Sequence, residues 1–262
     1  MTRIVQAELF RFVRRRTVLA GIAAAAIFAV IASLAVFSTA RDTGFRSRRA
    51  ATTLESLTGT GGGTEAFAVG ASFVGFLVFV TVIALIAGEF SGGTFRALVL
   101  REPRRLRVIV GKLAAILIVA AGIVALAEVF TFGLSLVVAP SKDIPTTDWF
   151  SVSSLGAALA DYVTVFAGVA GWAIFGTTLA VIFRSVPLAL GVGFAWAGPF
   201  ENIVVDSWQA GYRWFPGQVL GSLIQGGSVE LGIGRAGLTA AMYTAIAACV
   251  SLVLVSRRDV TS

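Results

Sequence analysis

The sequence predicts an all-α, polytopic membrane protein with six transmembrane helices, and three observations carry that expectation. Hydrophobic residues make up 57% of the 262-residue chain and charged residues only 13%, more apolar surface than a soluble core of this length buries. Long stretches are nearly free of charge and reach the roughly 20 residues that cross a bilayer as a helix. Basic residues gather at the ends of those stretches, where membrane anchors stand.

Residues 1–262 read as a single transmembrane domain with spans near 17–39, 66–88, 108–138, 157–183, 186–205 and 236–256. Ahead of the first span, Val5, Leu9, Phe12 and Val13 share one side of a helix, with Arg3, Arg11, Arg14 and Arg15 on the other. This predicts an N-terminal amphipathic helix at the membrane interface. The first apolar stretch is longer than a secretory signal and is read as a retained span, despite the small residues Ser38, Thr39 and Ala40 at its end.

Residues 41–65 are rich in Thr, Gly and Arg. The run Gly59 to Thr64 lacks the Gly-Lys-Ser/Thr ending of a phosphate-binding loop and reads as flexible linker. Residues 139–156, with Pro140, Asp143, Pro145 and Asp148, read as an exposed loop. Pro187 falls in the first turn of the fifth span, where its missing amide costs little. Between the last two spans, residues 206–235 carry Trp208, Tyr212, Trp214, Phe215 and Pro216, and this aromatic content predicts short interfacial or re-entrant helices.

The formal charge of +7 does not signal nucleic acid, because the arginines flank apolar spans. With the N-terminus inside, 14 of the 21 basic residues fall on the cytoplasmic side, which predicts that both termini are cytoplasmic. Arg41, Arg46, Arg48 and Arg49 fall outside in that topology. Cys249 is the lone cysteine and histidine is absent, which removes disulfide frameworks, Ser-His and Cys-His pairs and His-ligated zinc within one chain. No metal site is expected.

The segment between the second and third spans runs from Glu89 through Arg101-Glu102-Pro103-Arg104-Arg105 to Gly111-Lys112. Gly92-Gly93 permits a sharp turn and Thr94 is a candidate cap. Phe95 to Leu100 can form a short helix with Phe95, Leu98 and Val99 along one side, ended by Pro103. Such an element, braced between two spans, could pass the displacement of a docked partner to the membrane helices. Gly111-Lys112 is followed by Leu113 and opens a span, so it is no Walker-type loop.

The pattern Glu-x-x-x-Gly-Thr-x-Arg at Glu89, Gly93, Thr94 and Arg96, with Pro103, Arg105 and Lys112 behind it, resembles the signature of the type-2 ATP-binding cassette (ABC) exporter permeases. The amphipathic N-terminus, the six spans and the Phe215-Pro216-Gly217 element extend the resemblance over essentially the whole chain. It implies that the loop is a coupling helix seated on a separate ATPase subunit, through Glu89, Gly93, Thr94, Phe95, Arg96, Leu98 and Val99. It also implies a second permease half, identical or not, and short re-entrant helices before the last span. ATP and Mg would belong to the partner, leaving this chain neither enzyme nor cofactor carrier. The expected setting is the cytoplasmic membrane of a bacterium or archaeon, with lipid around it and export of a drug, lipid or natural product as the commonest family role.

Two further residues stand out on cost alone. Glu128 in the third span and Asp161 in the fourth are carboxylates in apolar sequence, and insertion scales put each at about 2.5 to 3.5 kcal/mol at the bilayer centre. They are candidates for the translocation path or for binding cationic cargo; the plainer reading places Asp161 at the interface and Glu128 neutral or hydrogen-bonded within the bundle. In an ATP-independent carrier or channel they would be the coupling residues. An intramembrane enzyme would have to use Ser72, with no histidine to activate it. Gly176 with Ala180 and Gly191 with Ala195 allow close helix approach and read as packing within one bundle.

Overall fold

The computed structural model describes residues 2–40, 54–102 and 104–258, so Arg41, Arg46, Arg48, Arg49 and Pro103 lie outside the described residues. Among the described residues 88% are helical and none lies in a strand, and six helices are long and apolar enough to cross a membrane. It is a multi-pass membrane protein.

α1 (Thr2–Phe12) lies against the start of α6 (Arg105–Val138), and α2 (Arg15–Thr39) is the first span. The amphipathic expectation for α1 holds for Val5, Leu9 and Phe12, which are partly buried, whereas Val13 falls beyond the helix and is exposed. Gly111 makes the close approach of α1 possible, since an added Cβ would stand 2.8 Å from Ile4 Cγ2.

A short α3 (Leu54–Thr58) precedes the second span, α4 (Gly62–Ser91). Of the run Gly59 to Thr64 expected to be flexible linker, Gly62, Gly63 and Thr64 are instead the buried first turn of α4, and Gly59 to Gly61 form the turn that leads into it. Gly62 and Gly63 are packed so closely that a Cβ on Gly63 would lie 2.6 Å from Phe132 Cε2, and one on Gly62 would collide with Leu57 O. Glycine serves close approach there rather than freedom.

α4 ends at Ser91 with Gly92 as its cap, and Gly93 takes φ 72 to redirect the chain into α5 (Thr94–Arg101). Thr94 makes no side-chain cap; it is the first helical residue, and the turn rests on Gly93 alone. α6 follows and passes into a 3₁₀ turn at Ala139–Lys142. The segment expected to be an exposed loop carries a second 3₁₀ turn, Thr147–Phe150, and buries Ala139, Ile144 and Trp149. Trp149 Nε1 donates to Leu57 O at 2.9 Å, tying this segment to α3.

α7 (Val152–Phe183) starts earlier than the hydropathy indicated, because the Ser151 side chain accepts from Ser154 N and caps it. α7 and α4 form the centre of the bundle, with α2, α6 and α11 (Ile233–Arg257) packed around them. Gly176 belongs to that seam, where a Cβ would lie 2.9 Å from Phe79 O; Gly191 meets nothing within 4 Å and, like Ala195, is exposed.

The fifth span is not one regular helix. α8 (Val186–Ala195) and α9 (Glu201–Ser207) are joined by a π-turn over Trp196–Phe200, which holds Pro199. Proline has no amide to donate and its ring crowds the preceding turn, so the backbone widens by one residue. α10 (Pro216–Ile224) is the short helix expected between the last two spans, and it packs on α7, α11 and α4. Gly168 and Gly171 of α7 form its bed: a Cβ on Gly171 would lie 2.6 Å from Leu220 Cδ2, and one on Gly168 would collide with Ile224.

Candidate functional site

The C-terminal ends of α4, α7 and α11, the start of α6, and the short helices α1 and α5 meet at one end of the bundle. At its centre Lys112, with a side chain 3% exposed, places Nζ 2.6 Å from Glu8 Oε1 and 2.8 Å from Glu89 Oε1. Arg11 closes the cluster from the surface, 2.9 Å from Glu89 Oε1 and 3.9 Å from Glu8 Oε2. Two acids and two bases leave it near neutral, the condition under which buried charge is tolerated. Glu89 therefore faces α1 and α6 and offers nothing to a partner from outside.

α5 is fixed to the same end by Phe95, 2% exposed, in a cluster with Val108 and Ile109 of α6, Val181 of α7 and Val255 of α11. The Phe90 ring of α4 lies 4.3 Å from the Phe95 ring, centroid to centroid. Leu98 and Val99 pack against this cluster as well. The apolar side expected to meet a partner is thus turned into the bundle, because four helix ends offer it a drier contact than a surface could. Among its described side chains, α5 leaves Thr94, Arg96, Ala97 and Leu100 exposed, the last at 81%.

The rest of this end is basic. Arg105 Nη1 donates to Arg258 O at 2.9 Å, and Arg258 Nη1 donates to Ile182 O at 2.8 Å. The Arg184 guanidinium lies 5.6 Å from the Phe90 ring centroid. Burial, and then the neighbouring Arg258 and Arg105, push the Arg184 pKa below its ordinary value.

At the opposite end, α4, α6, α7 and the Thr147–Phe150 turn enclose a cleft of about 470 Å³. Glu128 lines it beside Thr64, Phe132, Trp149 and Phe150. Asp161 stands nine residues into α7, about 13 Å along its axis at 1.5 Å per residue. Its Oδ2 accepts from Thr64 Oγ1 at 2.6 Å. Thr64 lines the cleft with Glu128 and bonds Asp161, so both carboxylates belong to this end of the bundle and not to the end that carries α5. Among the described residues no group of three or more acidic, histidine or cysteine side chains is arranged to hold a metal ion.

The family whose profile matches residues 26–261 is described as a protein of unknown function (DUF2705). The chain belongs to the DUF2705 family. None of the curated proteins matches it.

Sequence reasoning about this DUF2705 chain missed three residues. Glu8 and Arg11 complete the ionic cluster, and the available signal was Glu8 itself, a carboxylate four residues after Ile4 and four before Phe12, on the apolar stripe. Glu201 is the third: it is fully buried and accepts from Gly217 N and Gln218 N at 3.2 Å each, one bond to each carboxylate oxygen. It caps the N-terminus of α10, where free amides and the helix dipole favour an anion. That explains Phe215-Pro216-Gly217 in the DUF2705 chain: Pro216 opens the helix without wasting a donor, and a Cβ on Gly217 would collide with Glu201 Oε2. Ser72 Oγ, the candidate nucleophile of an intramembrane enzyme, accepts from Gln225 Nε2 at 2.9 Å and ties the end of α10 to α4.

Proposed function

We propose that this chain is the membrane-spanning permease half of an ATP-driven exporter of the ABC type, working with a separate ATPase subunit and a second permease half. The ion-paired end carrying α5 is its cytoplasmic face, with both termini inside the cytoplasmic membrane of a bacterium or archaeon. The cargo is a hydrophobic or amphipathic compound.

The observation that supports this reading most is the seating of α5. Its inner side, through Phe95, is packed against residues of four spans at once, while its outer side, through Arg96 and Leu100, is open. A push on the outer side is therefore delivered to α4, α6, α7 and α11 together, which is what a motor acting on a membrane path requires. The ionic cluster adds α1 to the same rigid group, since Lys112 and Arg11 join α1, α4 and α6.

Co-expression of the chain with the ATPase encoded beside it, followed by purification through a tag on one partner, tests the reading. The wild-type chain should retain the ATPase, and the double variant Arg96→Glu, Leu100→Asp should lose it while remaining folded. Retention of the ATPase by that variant, or failure of any ATPase to co-purify, would overturn the assignment.

A further inference from the structure

We propose that the cleft between α4, α6 and α7 is a binding site for an alkylated ammonium ion, the charged head of an amphipathic cation. Three features select that chemistry. The first is the wall: Phe132 packs against Trp149 with centroids 6.3 Å apart and meets Phe150 edge-on at 6.0 Å and 79°. Trp149 spends its only donor on Leu57 O, so what remains is ring surface, and the negative faces of grouped aromatic rings attract a cation without needing a hydrogen bond from it.

The second feature is charge. Glu128 lines the cleft, and its Oε1 is buried with no hydrogen-bond partner among the described residues. Asp161 accepts a hydrogen bond from Thr64, another residue of the cleft wall, which sets a second carboxylate beside the cleft. No described basic residue is ion-paired with either carboxylate, whereas Glu8 and Glu89 at the other end each have two cations. Carboxylates at membrane depth are costly when unmatched, and among the described residues no cation offsets this pair, a role an incoming cation would fill.

The third feature is the mouth. Val129, Val152 and Leu155 line the opening and are exposed on the outer surface of the bundle, so an apolar tail attached to the head would continue along apolar side chains. Thr60, Ser151 and Ser154 also line the cleft and can accept from an N–H of the head, whereas a quaternary ammonium needs no acceptor and is held by the ring faces and the carboxylate charge alone. The cleft, at about 470 Å³, is of the size that holds a small ligand.

As a binding site the cleft stands apart from the ATPase; as the place where exported cargo is held it rests on the permease reading. The probe is tritiated benzyltrimethylammonium, compared with neopentylbenzene, its uncharged carbon isostere, on the full chain in lipid nanodiscs without ATPase. Saturable binding of the cation is expected, with no comparable binding of the isostere. Glu128→Gln should weaken it by about tenfold or more, a difference of about 1.4 kcal/mol. Phe150, 69% exposed and safe to change without unfolding the bundle, provides the second variant: Phe150→Ala should weaken binding several-fold and Phe150→Tyr should preserve it. Equal binding of the isostere, or unchanged affinity in both Glu128→Gln and Phe150→Ala, overturns the site. Either result leaves co-purification with an ATPase untouched, so the two proposals fail separately.

Discussion

Lys112 Nζ donates to Glu89 Oε1 at 2.8 Å across 23 residues of chain, joining the start of α6 to the end of α4 on either side of the short helix α5. The bond closes the base of the turn that presents α5. Glu8 and Arg11 of α1 complete its surroundings, so one contact fixes three helices. Charge removed from one side of such a cluster leaves the other side buried and uncompensated, which is worse than removing both.

Lys112→Met should therefore destabilise the chain by about 3 to 5 kcal/mol, and the triple variant Glu8→Gln, Glu89→Gln, Lys112→Met should recover part of that loss. Thermal unfolding of the detergent-solubilised protein measures both. A triple variant less stable than Lys112→Met would contradict the reading of the cluster as mutual compensation.

Gly93 offers a cleaner test of backbone geometry. Its φ is 72, yet a Cβ there would meet nothing within 4 Å, so the only cost of Gly93→Ala is the left-handed conformation itself, about 1 to 2 kcal/mol. Gly93→Asn should cost less, because Asn tolerates that region. Equal stability of glycine, alanine and asparagine at this position would mean that the turn relaxes to another conformation.

The two sides of α5 should separate stability from partnership. Phe95→Ala empties a site filled by residues from α4, α6, α7 and α11 and should lower stability by about 3 to 5 kcal/mol. Leu100→Asp changes a residue that touches little and should leave the unfolding temperature unaltered. Comparison of their melting curves decides the matter before any ATPase is added.

Glu201 and Gly217 should behave as a pair. Glu201→Leu removes the acceptor of two helix-start amides and should cost about 1 to 3 kcal/mol, with faster hydrogen exchange at Gly217 N and Gln218 N. Gly217→Ala should produce the same local exchange by displacing the carboxylate. Exchange that stays slow at both amides in Glu201→Leu would show that α10 is capped by something else.

The six spans and the short helices α1, α5 and α10 could be read from the chain because each depends on local properties: apolar length, periodicity, and the turn and stop chemistry of Gly92-Gly93 and Pro216. Boundaries near glycine were harder. Gly62 and Gly63 have the composition of a linker, and nothing in the run itself reveals Phe132 or Leu57 pressed against them. Pro199 was present in the sequence, but whether it would kink, break or widen the fifth span depended on the neighbouring turn.

Sites were legible in type and not in direction. Glu128 and Asp161 stand out in sequence on their cost in apolar surroundings, and the fold adds the aromatic wall that gives the cleft its chemistry. Glu89 reads in the sequence as a contact for a partner and Lys112 as the basic start of a span. Only the folded chain turns them toward each other and turns Phe95 inward, because burial is decided by which helix ends converge, and that is a property of all six spans together. By itself the sequence determined that lipid is the solvent, how many times the chain crosses it and where short helices interrupt the crossings, since each of these is a free energy summed over neighbouring residues. The tertiary structure decided which side of α5 is open, what neutralises Lys112 and what Glu201 holds, since each of these is a contact between residues the chain keeps apart.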